Sequence, residues 1–97
     1  MGCYFLGLVD RHDLDTYSKY QAGNRTLIAG LDVKLVALTD QFEKLEGESD
    51  ANYLVLLEFV DRKEFEKWWS SEDYAQLKPF RQQSSTTAFA AVFGEHA

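Results

Sequence analysis

The amino-acid sequence predicts an α+β domain in which helices cover one face of a four-stranded antiparallel sheet. Four short apolar runs have the length of strands and are bounded by polar residues. The segments between them instead place apolar residues at helical spacing. Because 97 residues are enough for a single hydrophobic core, we expect one domain over residues 1–97.

The first strand and the first helix are predicted in the N-terminal third of the chain. Residues 3–9 are apolar throughout and end at the polar cluster DRHD, which is typical of a central strand that leads into a turn. Asp13 is the expected N-cap of the helix, because its carboxylate can accept from the free amides of the first turn. The inward stripe of this helix is Tyr17, Tyr20, Asn24, Leu27, Ile28 and Leu31.

Three more strands follow from apolar runs of similar length. Residues 33–39 and 53–59 form the second and third strands, and residues 87–93 form the fourth. The segment between the second and third strands, QFEKLEGE at 41–48, is polar and contains glycine. Such a composition is typical of a hairpin-like connection.

A helix is predicted to begin after Asp61, with Glu64 three residues later to complete a capping box. Phe65, Trp68 and Trp69 then share one helical face, which we expect to be buried.

A second short helix is expected to begin at Ser70 or Ser71, because either hydroxyl can cap its first turn. Pro79 is expected to kink this helix or make it restart. Its inward row is Tyr74, Leu77 and Arg81.

The resulting order is β-α-β-β-α-β with an extra turn in the second crossover, which is the ferredoxin-like arrangement. One face of such a sheet normally meets water, so its strands should alternate between apolar and polar residues. Here both faces are apolar: in the first strand Tyr4, Leu6 and Leu8 lie opposite Phe5 and its neighbours. We therefore expect a homodimer packed sheet face to sheet face that buries more than about 1,600 Å².

Composition and charge exclude several classes of partner. A net charge of −6 without any basic run argues against nucleic acid and anionic membranes. Apolar runs of about seven residues are far below the ~20 that span a bilayer. Cys3 is alone and no secretory signal is visible, so we expect a cytoplasmic protein.

The sequence contains no motif that identifies a reaction. His12, after the first strand, is a weak candidate for a general base, although a loop histidine is more often simply solvated. The second histidine, His96, is far away, so no metal-ligand spacing arises, and no phosphate loop or dinucleotide motif is present. We expect neither a metal nor a cofactor.

Two acidic residues and one arginine are candidates for contact with a ligand. Glu58 lies inside an apolar strand, where a carboxylate needs a partner, and Arg81 shares a helical row with Tyr74. The favoured interpretation is structural, either an ion pair between Glu58 and Arg81 or a Glu58 side chain that reaches the edge of the sheet. The alternative is a site for a small carboxylate-bearing ligand. Glu46, beside Gly47 in the loop, fits loop capping and ligand contact equally well.

Aromatic residues on the inward helical faces, above all Tyr17, Tyr20 and Trp68, are more often core than site. Their polar atoms nevertheless need partners, and such groups give an apolar pocket its direction.

The chain resembles a small bacterial family of dimeric α/β-barrel proteins, domain of unknown function thirteen-thirty (DUF1330). The resemblance spans nearly the whole chain and rests on Tyr17, Tyr20, LEGE at 45–48, LLEF at 56–59 and WWSSEDYAQLKPFR at 68–81. The last motif is the most specific, with Trp68, Ser71, Tyr74 and Arg81 in the spacing of the family. The resemblance implies the fold and the dimer, and the family has no established activity.

The leading functional hypothesis is a small-molecule-binding protein with a pocket between sheet and helices, one form of which is a cofactor-free enzyme. Its candidate pocket residues are Tyr17, Tyr20, Glu46, Glu58, Trp68, Ser71, Tyr74 and Arg81. The alternative is a non-catalytic module whose function is to dimerise. An enzyme should show converging polar groups around a cavity, whereas a structural dimer should have that cavity filled.

Overall fold

The computed structural model describes residues 2–94 and contains four strands and three helices. The sheet has the order β2-β3-β1-β4, and every neighbouring pair is antiparallel. These features confirm the α+β class and the antiparallel sheet. The elements are β1 (Cys3–Arg11), α1 (Leu14–Ile28), β2 (Val33–Thr39), β3 (Tyr53–Phe59), α2 (Arg62–Trp69), α3 (Glu72–Ser84) and β4 (Ser85–Gly94).

The second crossover contains two helices, so the order is β-α-β-β-α-α-β rather than β-α-β-β-α-β. The break falls at Ser71, whose Oγ accepts from the Tyr74 amide at 3.0 Å and donates to the Trp68 carbonyl at 2.8 Å. One hydroxyl therefore ends α2 and begins α3. The expected restart at Pro79 is wrong, because α3 continues through it and a proline removes only one amide donor from the helix.

The two other helices begin at the expected aspartates. Asp61 Oδ1 accepts from the Glu64 amide at 2.9 Å, but Glu64 does not complete the capping box. Its Oε2 instead accepts from the Asp32 amide at 2.9 Å, and its Oε1 accepts from Lys67 Nζ at 2.6 Å. Glu64 therefore ties α2 to the turn before β2, a contact between distant segments that local spacing does not reveal.

Asp13 caps α1 through Thr16, whose amide and Oγ1 donate to its carboxylate at 3.2 and 2.8 Å. These bonds lower the pKa of Asp13 below its ordinary value of about 3.9. We expect Asp13→Ala to lower the free energy of unfolding at neutral pH. A depressed pKa stabilises the fold above the ordinary value, so urea titrations should show the loss shrinking as the pH falls below about 3.9. An equal loss at pH 7 and pH 3 would contradict the role of the ionised cap.

The two faces of the sheet differ in what covers them. Side chains of alternate residues in β1, among them Phe5 and Val9, point under the helices and are buried in the core, on what we term the inner face. The core that these helices share with the inner face is Cys3, Phe5, Val9, Tyr17, Tyr20, Ile28, Tyr53, Leu57, Phe59, Phe65, Trp68 and Tyr74.

The opposite, outer face is apolar and stays partly accessible in the single chain. Its strands are in register so that Leu6 pairs with Leu56 and Ala91, while Tyr4 pairs with Phe93 and stacks on it at 5.3 Å. Phe89 and Phe93 are 52% and 45% exposed. The outer face comprises Tyr4, Leu6, Leu8, Leu54, Leu56, Glu58, Phe89, Ala91 and Phe93. Within residues 2–94, no helix is long and apolar enough to cross a membrane.

Candidate functional site

A cavity of about 50 Å³ lies between α1 and the inner face of the sheet. This volume holds roughly three to five water molecules and is about a third of the roughly 150 Å³ of a cavity that binds benzene. Most of the wall is aromatic or aliphatic, with a few polar groups among them. The lining residues are Phe5, Gly7, Val9, Tyr17, Tyr20, Gln21, Asn24, Arg25, Ile28, Leu35, Leu38, Tyr53, Val55, Leu57, Trp68, Tyr74, Arg81, Thr87 and Ala90.

The floor of the cavity owes its room to small residues at the centre of the sheet. Gly7 of β1 pairs with Val55 on one side and Ala90 on the other, so three adjacent strands present little bulk there. A Cβ atom at Gly7 would lie 3.1 Å from Cε2 of Phe5, which is tighter than ordinary van der Waals contact. Glycine at this position therefore lets the Phe5 ring occupy the floor without strain.

Four tyrosines from three elements give the cavity its polar atoms. The Tyr20 and Tyr74 hydroxyls are hydrogen-bonded to each other at 2.8 Å, and Gln21 Nε2 donates to the Tyr53 hydroxyl at 3.1 Å. The Tyr17 ring packs against Tyr20 and Tyr53, with centroids 5.4 and 6.0 Å away. Among residues 2–94, no side chain accepts or donates a hydrogen bond at the Tyr17 hydroxyl.

Burial keeps these phenols neutral. Desolvation raises the pKa of Tyr17 to about 12, and it raises the pKa of Tyr20 well above its ordinary value. Burial also raises the pKa of Tyr74, although the bond to Tyr20 and the charge of Arg81 oppose the rise. All three side chains are therefore hydrogen-bond donors at neutral pH, and none of them is a base.

Arg81 brings a positive charge to the wall of the cavity. Its Nη1 donates to Thr87 Oγ1 of β4 at 3.0 Å, which holds the guanidinium against the sheet. Its Nε is buried and has no hydrogen-bond partner in the described part of the chain. A buried donor without a partner is costly, so this nitrogen is a natural contact for an acceptor atom in the cavity.

A hydrogen bond from Trp68 fixes the wall on the side of α1. Trp68 Nε1 donates to Asn24 Oδ1 at 2.6 Å and so joins α2 to α1. The indole packs against Tyr74, Phe5 and Phe59, with ring centroids 4.7, 5.1 and 5.6 Å away. Because the indole nitrogen is donor-only, the Asn24 oxygen must face it, which leaves the amide NH₂ to donate elsewhere.

The structure brings five of the candidate pocket residues together in this cavity and places the others elsewhere. Ser71 caps α3, and His12 and Glu46 are exposed in loops, outside the cavity wall. The five residues that line the cavity are Tyr17, Tyr20, Trp68, Tyr74 and Arg81.

The expected pair between Glu58 and Arg81 is wrong, because the two residues lie on opposite faces of the sheet. Glu58 pairs in register with Tyr4, and its Oε2 accepts from the Tyr4 hydroxyl at 3.1 Å on the outer face. Arg81 lines the cavity on the inner face. The face of Glu58 could have been predicted from the alternation of side chains in β3. Neighbouring residues of a strand point to opposite faces, and Leu57 is buried, so Glu58 faces the other way.

The sequence analysis did not predict that Arg11, at the end of β1, lies beside two of the tyrosines of the cavity. Its guanidinium carbon is 3.8 Å from the Tyr53 ring centroid and 5.5 Å from that of Tyr17, and its buried Nε lacks a partner among the described residues. Its side chain also approaches the exposed Asp40, at 3.9 Å between Nη2 and Oδ2. Residue parity could have revealed it, because Arg11 shares the odd numbering of Phe5 and its inward-facing neighbours.

Between residues 2 and 94, no three His, Cys, Asp or Glu side chains form a group that could hold a metal ion. His96 lies outside the described residues.

The fold and the cavity define a class of protein: ferredoxin-like α+β domains with a pocket between helix and sheet. The chain belongs to the family described as Domain of unknown function (DUF1330), whose model matches residues 2–95. A comparison with curated proteins finds no match.

Solved structures with the same fold have low sequence identity. A dimeric ferredoxin-like protein of unknown function from Jannaschia sp. CCS1 is 12% identical, with a TM-score of 0.79, and the match covers 98% of this chain and 100% of that one. SnoaB from Streptomyces nogalater, a cofactor-independent oxygenase, is 13% identical, with a TM-score of 0.70 over 99% and 94% of the two chains. RPA0582 from Rhodopseudomonas palustris, of unknown function, is 15% identical, with a TM-score of 0.71 over 95% and 78%. These likenesses concern the fold alone.

Proposed function

We propose that the cavity binds a small, mostly apolar molecule that carries an acidic oxygen group, of which a carboxylate is the simplest example. Arg81 holds this group. The observation that carries the proposal is the charge of the wall, in which Arg25 and Arg81 are the charged residues and no acidic side chain of residues 2–94 takes part. The chain as a whole has a net charge of −6, so this local reversal of sign favours an anionic ligand.

The remaining lining supports the same class of ligand. Aromatic walls and the small floor at Gly7 favour a flat apolar body. Arg81 Nε is a buried donor without a hydrogen-bond partner among residues 2–94, and no side chain of those residues bonds to the Tyr17 hydroxyl. A mostly apolar pocket with a few directed polar groups is the usual form of a small-molecule site. A module that only dimerises would have no use for unpartnered donors in an open cavity.

Isothermal titration calorimetry with 4-nitrobenzoate tests the role of Arg81. We expect Arg81→Ala to weaken binding by about tenfold to a hundredfold, the usual worth of a hydrogen bond to a charged group. Arg81→Lys should also weaken it, because lysine keeps the charge but loses the planar donor geometry. Arg62→Lys is the matched control, since Arg62 lies outside the cavity wall beside Glu66. Equal affinity of the parent and Arg81→Ala for 4-nitrobenzoate would overturn the proposal.

We further propose that a second copy of this chain covers the outer face. The support is a mostly apolar surface that spans β1, β3 and β4, with Phe89 and Phe93 prominent at its β4 side. Such a surface is larger than single scattered apolar residues and marks an interaction site. The relative from Jannaschia sp. CCS1 is described as dimeric, which favours a second copy over another partner.

A further inference from the structure

We propose that the acidic group taken by the cavity is the single ionised oxygen of a phenol or enol, held by Tyr17, Tyr74 and Arg81. This inference rests on the proposed binding function and names the chemical class of its ligand. The three donors come from α1 and α3 and face one small cavity. Donors that converge on one oxygen from different elements form the kind of site that stabilises an oxyanion.

The hydrogen-bonded pair of Tyr20 and Tyr74 supplies one donor to the ligand, whichever of the two hydroxyls donates to the other. The two hydroxyls carry two protons but share a single hydrogen bond of 2.8 Å, so one O–H remains available. Either hydroxyl can be the donor of this bond. In the arrangement that we propose, Tyr20 donates and Tyr74 keeps the free O–H, which accepting a bond from Tyr20 polarises into a stronger donor.

Tyr17 supplies the second donor. Its hydroxyl makes no hydrogen bond to any side chain in the described part of the chain, and its residue is only 2% exposed. The charges of Arg11 and Arg81 both act on this hydroxyl. Tyr17 lines the cavity, so its hydroxyl can donate to water or to a ligand there.

The surroundings favour a delocalised anion over a carboxylate. Tyr17, Tyr20, Tyr53, Trp68 and Tyr74 make much of the wall aromatic. A carboxylate keeps its charge on two strongly hydrated oxygens and is costly to desolvate against such a wall. A phenolate spreads its charge over the ring, and that ring can stack on the aromatic side chains.

The lining contains no group that would take up the ligand's proton. None of the described lining residues carries a carboxylate, an imidazole, an amine or a thiol, and burial raises the pKa of Tyr17, Tyr20 and Tyr74 so that they stay protonated. A bound phenol therefore loses its proton to solvent. The donors act by binding the phenolate more tightly than the phenol, which by linkage lowers the pKa of the bound molecule.

The test is a spectrophotometric pH titration of 4-nitrophenol bound to the full chain. We expect the phenolate to bind at least about tenfold more tightly than the phenol, so that the pKa of the bound probe falls by about one unit or more. Tyr74→Phe should weaken phenolate binding about tenfold and leave phenol binding unchanged. Tyr4→Phe is the matched control, because Tyr4 lies on the outer face and should change neither affinity.

The outcomes separate this inference from the proposed function. If neither 4-nitrophenol nor 4-nitrobenzoate binds, both fail. If 4-nitrobenzoate binds through Arg81 but bound 4-nitrophenol titrates like the free compound, only the phenolate inference is overturned. Circular dichroism checks the fold of Tyr74→Phe, and if that variant does not fold, Tyr17→Phe takes its place with the same expected loss. An unchanged pKa shift in a folded variant would also overturn the inference.

Discussion

Replacement of Trp68 by alanine should lower the free energy of unfolding by about 3–5 kcal/mol, the usual cost of removing a large buried aromatic side chain. Trp68 is 1% exposed and packs against Phe5, Phe59, Phe65 and Tyr74. The change would also remove the bond to Asn24 and leave a polar amide in an enlarged cavity. Since domains of this size are stable by about 5–15 kcal/mol, a large part of the total would be lost.

Urea titrations at one fixed protein concentration measure this loss, because unfolding of the proposed dimer would depend on concentration. Trp69→Ala is the matched control: the same side chain is removed from the next residue of the same helix. Trp69 is only partly buried and carries Lys78 and Arg81 over its ring. Trp69→Ala should therefore lower the free energy of unfolding by clearly less than Trp68→Ala does. Equal midpoints for the parent and Trp68→Ala would contradict the packing of α2 on the sheet.

Replacement of Leu56 by aspartate should raise the dissociation constant of the dimer by about a hundredfold or more. Leu56 lies on the outer face, between Leu6 of β1 and Ala37 of β2. A dimer with two-fold symmetry would bury two new carboxylates among apolar side chains, and each would lack a partner. The single chain should still fold, because Leu56 points away from the core beneath the helices.

Sedimentation equilibrium measures the assembly of the parent and the variants. Leu45→Asp is the control, because Leu45 is 84% exposed in the loop between β2 and β3 and does not belong to the sheet. It should leave the dissociation constant unchanged. A parent chain that sediments as a folded monomer at micromolar concentration would contradict the sheet-to-sheet dimer.

Local patterns were enough to predict the elements of this fold. The bounds of β2 and β3 agree with the apolar runs at 33–39 and 53–59, and Asp13 and Asp61 cap the helices that follow them. β1 and β4 extend by up to two residues beyond their apolar runs, into polar residues such as Arg11 and Ser85. Backbone pairing between these two strands continues where hydrophobicity has ended, so composition alone could not reveal the extension.

The candidate site was harder to predict, because it depends on which way each strand faces. Helical spacing was sufficient for Tyr17, Tyr20 and Tyr74, whose inward rows converge in the structure. Glu58 was misplaced because both faces of β3 are apolar, and such a strand has no polar side to orient it. The small floor at Gly7 depends on its pairing with Val55 and Ala90, a matter of register between distant segments.

The side chains of β1 alternate strictly between the two faces of the sheet. The proposed ligand binding and the proposed dimer therefore depend on alternate residues of the same short strand. Residues 3, 5, 7 and 9 face the cavity side, and residues 4, 6 and 8 face the surface proposed for the second copy. Substitutions in β1 could therefore change the affinity for the ligand and the affinity between the two copies separately. Loss of one residue from the middle of β1 would exchange the two sets at once, because side chains along a strand alternate with a period of two. Length changes should be tolerated more easily at the irregular pairing near Val36 of β2, on the edge of the sheet.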